Sequence, residues 1–300
     1  MNWLMRRTVP AGQVAPTLTT TPWSSWFATI QQGWVFPLLL ALFIIVGLIA
    51  PWLTSTDPNT IQMDRRLQPP GTEHWFGTDH LGRDVLARVL HGGRTTLSFG
   101  LSAVALTIGI ALSFGLLAGY YGRQVDLIVS SVIDLVLTLP TLLITLALLG
   151  ILGTGGSTLI IALVGTAWAA PARILRAATL AVRRSGYVEA AHALGIPHTH
   201  IIWRHVAPNI ATPLLMLLSL ELAEVLLVIS ALSFLGLGTQ PPNADWGVMI
   251  AEGRTYVAQA PWLMWAPGLC IVLYAALANL AGDGLKQLLD RSLRRTSFHS

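Results

Sequence analysis

The chain has 300 residues, of which 53% are hydrophobic and only 11% charged, and its mean hydropathy is +0.63. Ordinary soluble domains carry about 25% charged residues, so this composition excludes a disordered chain, a collagen-like chain and a soluble globular enzyme. The net charge of +4 comes from 17 Arg, one Lys (Lys286) and 14 acids; in so apolar a chain it reads as an orientation signal, not as a nucleic-acid footprint. Cys270 is the sole cysteine, which excludes a disulfide framework and a cysteine-based zinc site.

The charges are clumped. Charge-free stretches lie between Arg7 and Asp57, Arg94 and Arg123, Asp134 and Arg173, Arg204 and Glu221, Glu224 and Asp245, and Arg254 and Asp283. A membrane-crossing helix needs about 20 predominantly apolar residues. Lipid offers backbone groups no hydrogen-bond partner, so such segments are helical, and the alternation of a membrane β-barrel is absent. The expectation is an all-α, polytopic membrane protein with about six transmembrane helices.

In chain order, the spans are expected at 35–54, 95–119, 126–150, 158–180, 208–235 and 262–282. Trp34 and Trp52 flank the first as interfacial anchors. Pro140 is expected to kink the third, and Gly150 to Gly156 to turn the chain. The expected organisation is an N-terminal tail over 1–34, a first transmembrane helix over 35–54, an outer loop over 55–94, a transmembrane core over 95–285 that carries an inner loop at 181–207, and a tail over 286–300. No cleavable signal is evident near Met1, so the first span is expected to stay as an anchor. With both termini cytoplasmic, 12 of the 18 basic residues fall at or near the inner side. The remaining six share the outer side with Asp57, Asp64, Glu73, Asp79 and Asp84.

The inner loop carries the most specific pattern. Tyr187, Ala190, Ala191 and Leu194 follow i, i+3, i+4, i+7 spacing, one face of a helix. Gly195 permits a turn, and Pro197 suits the first turn of a second short helix. On physics alone, an amphipathic helix lying at the membrane interface explains the segment as well.

Glu221 and Glu224, three residues apart, share a face of the fifth span. Ionisable groups at that depth are candidates for a translocation path. Asp134 in the third span is a weaker candidate, with Arg173 and Arg176 as expected ion-pair partners. In the outer loop, Leu81, Val85, Val89 and Leu90 form a stripe that reads as a short surface helix, with Asp84 placed to pair with Arg88 at i, i+4. The histidines His74, His80 and His91, and His192, His198, His200 and His205, fit no ligand spacing, so no metal site is expected. No phosphate loop of the Gly-x-x-x-x-Gly-Lys-Ser/Thr type is present.

The segment Glu189-Ala190-Ala191, then Gly195, then Pro208 resembles the EAA signature of ABC importer permeases. Gly77-Thr78-Asp79 with Gly82-Arg83-Asp84 is similar to a segment of the dipeptide, oligopeptide and nickel permease subfamily. So are Ser233-Phe234-Leu235-Gly236-Leu237-Gly238 with Pro241-Pro242 and Trp246-Gly247, and Asn279-Leu280-Ala281-Gly282-Asp283-Gly284. The match covers roughly 55–290 and looks most like the second permease of a pair. It departs at Ile229, where many relatives carry an acid, and at Arg291, where a proline is usual.

The resemblance implies a type I importer permease fold in the bacterial inner membrane, multi-pass and non-catalytic. It implies partnership with a homologous permease, two ATPase subunits and an extracytoplasmic solute-binding protein, with no nucleic acid. No cofactor would bind this chain directly; ATP and Mg belong to the partner subunits. Tyr187, Glu189, Ala190, Ala191, Leu194 and Gly195 would couple to the ATPase. Asp79, Gly82, Arg83 and Asp84 would support an outer gate or contact the binding protein. The implied cargo is a di- or oligopeptide, with nickel or a metal chelate as the alternative. A proton-driven secondary transporter using Glu221, Glu224 and Asp134 as a relay is the rival from another class.

Overall fold

The computed structural model describes residues 33–296, Ser55 excepted; most of the expected N-terminal tail lies outside the described residues. The described chain contains no named strand, only one isolated bridge between Thr78 and Asp84. Helix α1 is Val35–Leu53 and α2 is Val85–Tyr121. Next come α3 (Arg123–Leu137), α4 (Thr141–Leu152), α5 (Gly156–Ala167) and α6 (Ala169–Arg183). The short helices α7 (Gly186–Ala193) and α8 (His198–Ile201) follow, then α9 (Ala211–Phe234), α10 (Trp246–Gly253) and α11 (Trp262–Thr296).

Four helices, α1, α2, α9 and α11, are each long and apolar enough to cross a membrane. The pairs α3–α4 and α5–α6 make two more spans if each is taken as one, bent by 83° and 40°. Pro140 therefore breaks the third span instead of merely kinking it. It has no N–H to donate and disfavours helical geometry in the residue before it, and it becomes the N-cap of α4. The bend between α5 and α6 at Trp168 was not foreseen, although its cause is local. Pro171 stands at the third position of α6, where its ring displaces the carbonyl of Ala167 and leaves that carbonyl without its helical partner.

The second difference lies at the start of α2. This helix begins at Val85, not near residue 95, and its 37 residues span about 55 Å, well beyond about 30 Å of hydrocarbon. The stripe read as a separate surface helix is therefore the first turns of α2. Asp84 caps it, accepting from the Ala87 N–H at 2.8 Å, which satisfies a donor that the helix itself leaves free. At the other end of the chain, α11 continues through the expected tail as far as Thr296.

Helix α2 is the axis of the bundle. It packs most extensively along α6 and also against α1, α9 and α5. The closeness to α6 follows from small residues: a Cβ at Gly115 would stand 2.8 Å from the Leu175 Cβ, and one at Gly119 would stand 2.6 Å from the Thr179 Cβ. In membranes, where lipid tails are as apolar as side chains, such close approach supplies helix association through dispersion. One apolar core joins α2, α3, α5, α6 and α9 around Val104, Ala111, Leu159, Leu175 and Ile229. A second joins α1, α2, α9, α10 and α11 around Leu97, Leu226, Trp246 and Tyr274. The two ends of α2 thereby define two poles, one at α10 and one at α7.

Candidate functional site

At the α10 pole, the loop before α2 is fixed by buried charge. The Asp79 carboxylate accepts from the Leu81 N–H at 2.8 Å and the Arg83 N–H at 2.9 Å, which closes the loop into a local turn. It also accepts from Arg83 Nε at 2.6 Å and lies 3.6 Å from Arg88 Nε. Glu252 on α10 receives both guanidinium groups on one oxygen, Arg83 at 3.1 Å and Arg88 at 3.0 Å. Arg88 is 1% exposed, and Asp79 and Arg83 are also buried. Gly82 has φ +75° and lies against the Gln62 backbone, so a side chain there has no room.

One expectation for this region is corrected. Arg88 does not pair with Asp84, because the helix carries its side chain toward Asp79 and Glu252. Asp84 instead caps α2 and bonds His74 Nδ1 at 2.7 Å. Glu252 and Asp245 had not been singled out at all. Asp245 caps α10 through the N–H groups of Gly247 at 2.8 Å and Val248 at 3.3 Å. Burial pushes its carboxyl up, and those two N–H groups offset only part of that rise.

Asp79, His80 and Glu252 also place three potential metal-ligand atoms within 4.8 Å of one another. Both carboxylates are already held by Arg83 and Arg88, so the cluster is balanced by the protein's own cations. The His80 ring stacks on Tyr256 at 5.4 Å.

Between the poles, Glu221 and Glu224 line the same cavity of about 340 Å³. Pro140, Thr141 and Thr145 line it too, so the broken third span borders the space that the two acids face. Asp134 is not among its lining residues. It pairs with Arg173 at 2.5 Å, and Asp126 pairs with Arg176, both across the contact between α3 and α6. Ile229 is wholly buried in the apolar core.

At the α7 pole, α7 ends in a Schellman motif. The Gly195 N–H donates to His192 O at 3.0 Å and the Ile196 N–H to Ala191 O at 3.2 Å. Gly195 itself has φ +75° with open space around it, so its left-handed backbone, and not crowding, is what demands glycine. Pro197 then caps α8. The stripe Tyr187, Ala190, Ala191, Leu194 is split by the fold. Ala191 is buried with Val188, whereas Tyr187, Glu189, Ala190 and Leu194 are exposed, Leu194 by 80%. A helix of eight residues that rests on a bundle has one inward edge, and the alanine pair straddles it.

The residue that sequence reasoning missed at this pole is Tyr120, in the last turn of α2. It is buried against Val188, Ala191, Ile201 and Val206. Its hydroxyl lies 3.3 Å from His192 Nε2 and 3.0 Å from His198 Nδ1. One phenol thus touches both α7 and α8, on either side of Gly195. The histidines that fit no ligand motif are, in two cases, hydrogen-bond partners of this tyrosine. The adjacent Tyr120-Tyr121 pair ending an apolar run was the available signal.

Residues 111–295 match the family described as binding-protein-dependent transport system inner membrane component. A putative peptide transport system permease protein of Brucella suis is 40% identical over 256 residues, covering 85% of this chain and 86% of that protein. A dipeptide transport system permease protein of Alkalihalophilus pseudofirmus is 34% identical and covers 91% of each chain. A nickel transport system permease protein of Escherichia coli is 35% identical, covering 87% of this chain and 95% of that one. In fold, the chain is similar to an inward-facing structure of the MetNI methionine ABC transporter, with a TM-score of 0.55 and 19% identity over 67% of this chain and 95% of that one.

Proposed function

Since the chain belongs to the family of inner membrane components of binding-protein-dependent transport systems, and is a permease subunit of an ABC importer, we propose that it passes di- or oligopeptides and that α7–α8 is the element its ATPase subunits move. The observation that carries the coupling reading is the Tyr120 contact. A push on α7 or α8 reaches the end of a helix that runs the length of the bundle, and the elbow between them is set by Gly195. Exposed Tyr187, Glu189, Ala190 and Leu194 present the surface for the ATPase, while buried Ala191 seats α7 on the bundle.

In this reading the chain is non-catalytic and binds no cofactor; two ATPase subunits hold ATP and Mg. A homologous permease completes the path, a solute-binding protein delivers cargo at the α10 pole, and both termini are cytoplasmic. Asp79, Gly82, Arg83 and Asp84 hold the surface at that pole, and Glu221 and Glu224 line the path, where two acids favour an amine-bearing solute. Asp134 has a positioning role through Arg173.

Reconstituted vesicles test this. Uptake of a dipeptide is expected only with binding protein on the side that the α10 pole faces and ATP on the side that the α7 pole faces. Uptake under a proton gradient alone would instead establish the secondary-transporter reading. The 35% identity to a nickel permease supports nickel or a metal chelate as a second cargo. Titrating the partner binding protein with dipeptide and with nickel separates the two.

A further inference from the structure

A second cavity lies at the α10 pole, on the flank of the bundle, and no step of the proposed transport uses it. It measures about 600 Å³ and sits where the end of α1 meets the start of α2; Pro51, Trp52, Asn59, His91, Arg94 and Asn243 are among the groups that line it. Its one lining cation is Arg94, whose guanidinium lies over the Trp52 ring at 5.2 Å. Among the described residues, no carboxylate forms an ion pair with Arg94. The nearby Asp57 carboxylate accepts from the Asn59 N–H at 2.9 Å. Beside Arg94, His91 Nδ1 and Asn59 Oδ1 are shielded and have no protein partner.

The surface leading to this cavity is apolar. Leu38, Leu42, Ile45, Ile49 and Trp52 are all exposed on α1. Their spacing of i, i+4, i+7, i+11, i+14 makes one continuous stripe, and Trp52, 71% exposed, is its last member. A hydrocarbon-matching stripe therefore runs along α1 and ends at an indole capped by an unneutralised guanidinium. Tryptophan prefers the headgroup level of a bilayer, and a guanidinium is the side chain suited to a phosphate through paired N–H donors.

We propose that this cavity is a binding site for a membrane phospholipid: the phosphate sits on Arg94, the headgroup beyond it faces Asn59 and His91, and an acyl chain lies along the α1 stripe. The site would fix α1 to the start of α2 through a lipid, in the leaflet on the α10 side. It depends only on the chain's being in a membrane, not on which solute it carries.

The test uses the full chain, extracted in detergent with whatever subunits accompany it, exposed to mixed micelles of phosphatidylethanolamine and phosphatidylglycerol, and washed. Retained phospholipid is counted by native mass spectrometry. The wild-type chain is expected to keep a phospholipid that the Arg94→Gln chain holds about tenfold less well. Trp52→Leu, which preserves the apolar stripe, is expected to show a smaller loss. Arg254→Gln removes another guanidinium placed over an aromatic ring, that of Phe234 at 5.6 Å, and is expected to leave retention unchanged. Equal retention in wild-type and Arg94→Gln chains overturns the proposal. So does equal loss in Arg254→Gln. Protection of Arg94 from a guanidinium-modifying reagent by millimolar inorganic phosphate, without protection by the lipid micelles, also overturns it and assigns the cavity to a soluble oxyanion.

Discussion

The two ends of α2 are built on opposite principles. At the α10 pole, Asp79, Arg83, Arg88 and Glu252 form a buried ionic cluster, and Trp246 and Trp262 tie the same region together by donating to Val89 O at 2.9 Å and Thr78 O at 3.2 Å. At the α7 pole, about 48 Å away along the 32 residues from Arg88 to Tyr120, the contact region is small and apolar, and one tyrosine hydroxyl bridges two exposed short helices. Burying paired charges makes an arrangement that is costly to change in part, because each group removed leaves another unpaired. A few apolar contacts and two hydrogen bonds from one hydroxyl make one that shifts at little cost. The first suits a fixed surface, the second a moving one.

Substitutions sharpen that contrast when ranked by their effect on the fold. Arg88→Met should be the most damaging, since it leaves Asp79 and Glu252 to share the single Arg83 guanidinium; a loss of about 3 kcal/mol should appear as a large drop in unfolding temperature in detergent. Gly195→Val forces a branched side chain into a left-handed backbone, at a cost of about 1–2 kcal/mol. Membrane insertion should persist while transport per ATP hydrolysed falls; unchanged transport would remove Gly195 from the coupling role. Tyr120→Phe keeps the packing and deletes the hydroxyl, so thermal stability should fall by only about 0.5–1.5 kcal/mol, yet ATP hydrolysis should become less dependent on solute. Leu194→Ser, at an exposed site, should change stability by less than about 0.5 kcal/mol while weakening recovery of the ATPase with the purified permease. If Leu194→Ser proved as destabilising as Arg88→Met, the contrast between the poles would be lost.

Much of the architecture was legible in the chain because membrane insertion constrains it so tightly. The charge gaps located the apolar helices, and the EAA-like segment located α7, its Gly195 terminus and Pro197 within a residue of their positions. What failed was local or relational. Pro171 breaks a span through a rule available from the start, but its apolar neighbours masked it. The start of α2 was missed because Asp84, Arg88 and Arg94 broke the apolar run; the charges of Asp84 and Arg88 are satisfied by tertiary partners, which hydropathy does not register. The stripe Tyr187, Ala190, Ala191, Leu194 was correctly spaced for a helix, but spacing alone does not say which edge of a short helix meets the bundle.

The sequence by itself determined where the apolar spans lie and the family, because each depends on residues close along the chain: apolar runs long enough for a bilayer, caps, glycines and prolines. Only the tertiary structure decided the partners of the charges and of Tyr120. Arg88 meets Glu252 across 164 positions, and Tyr120 meets His192 across 72 and His198 across 78. No periodicity spans such separations, because these contacts depend on how whole helices pack, and it was small residues such as Gly115 and Gly119 that allowed α2 to pack closely enough to make them.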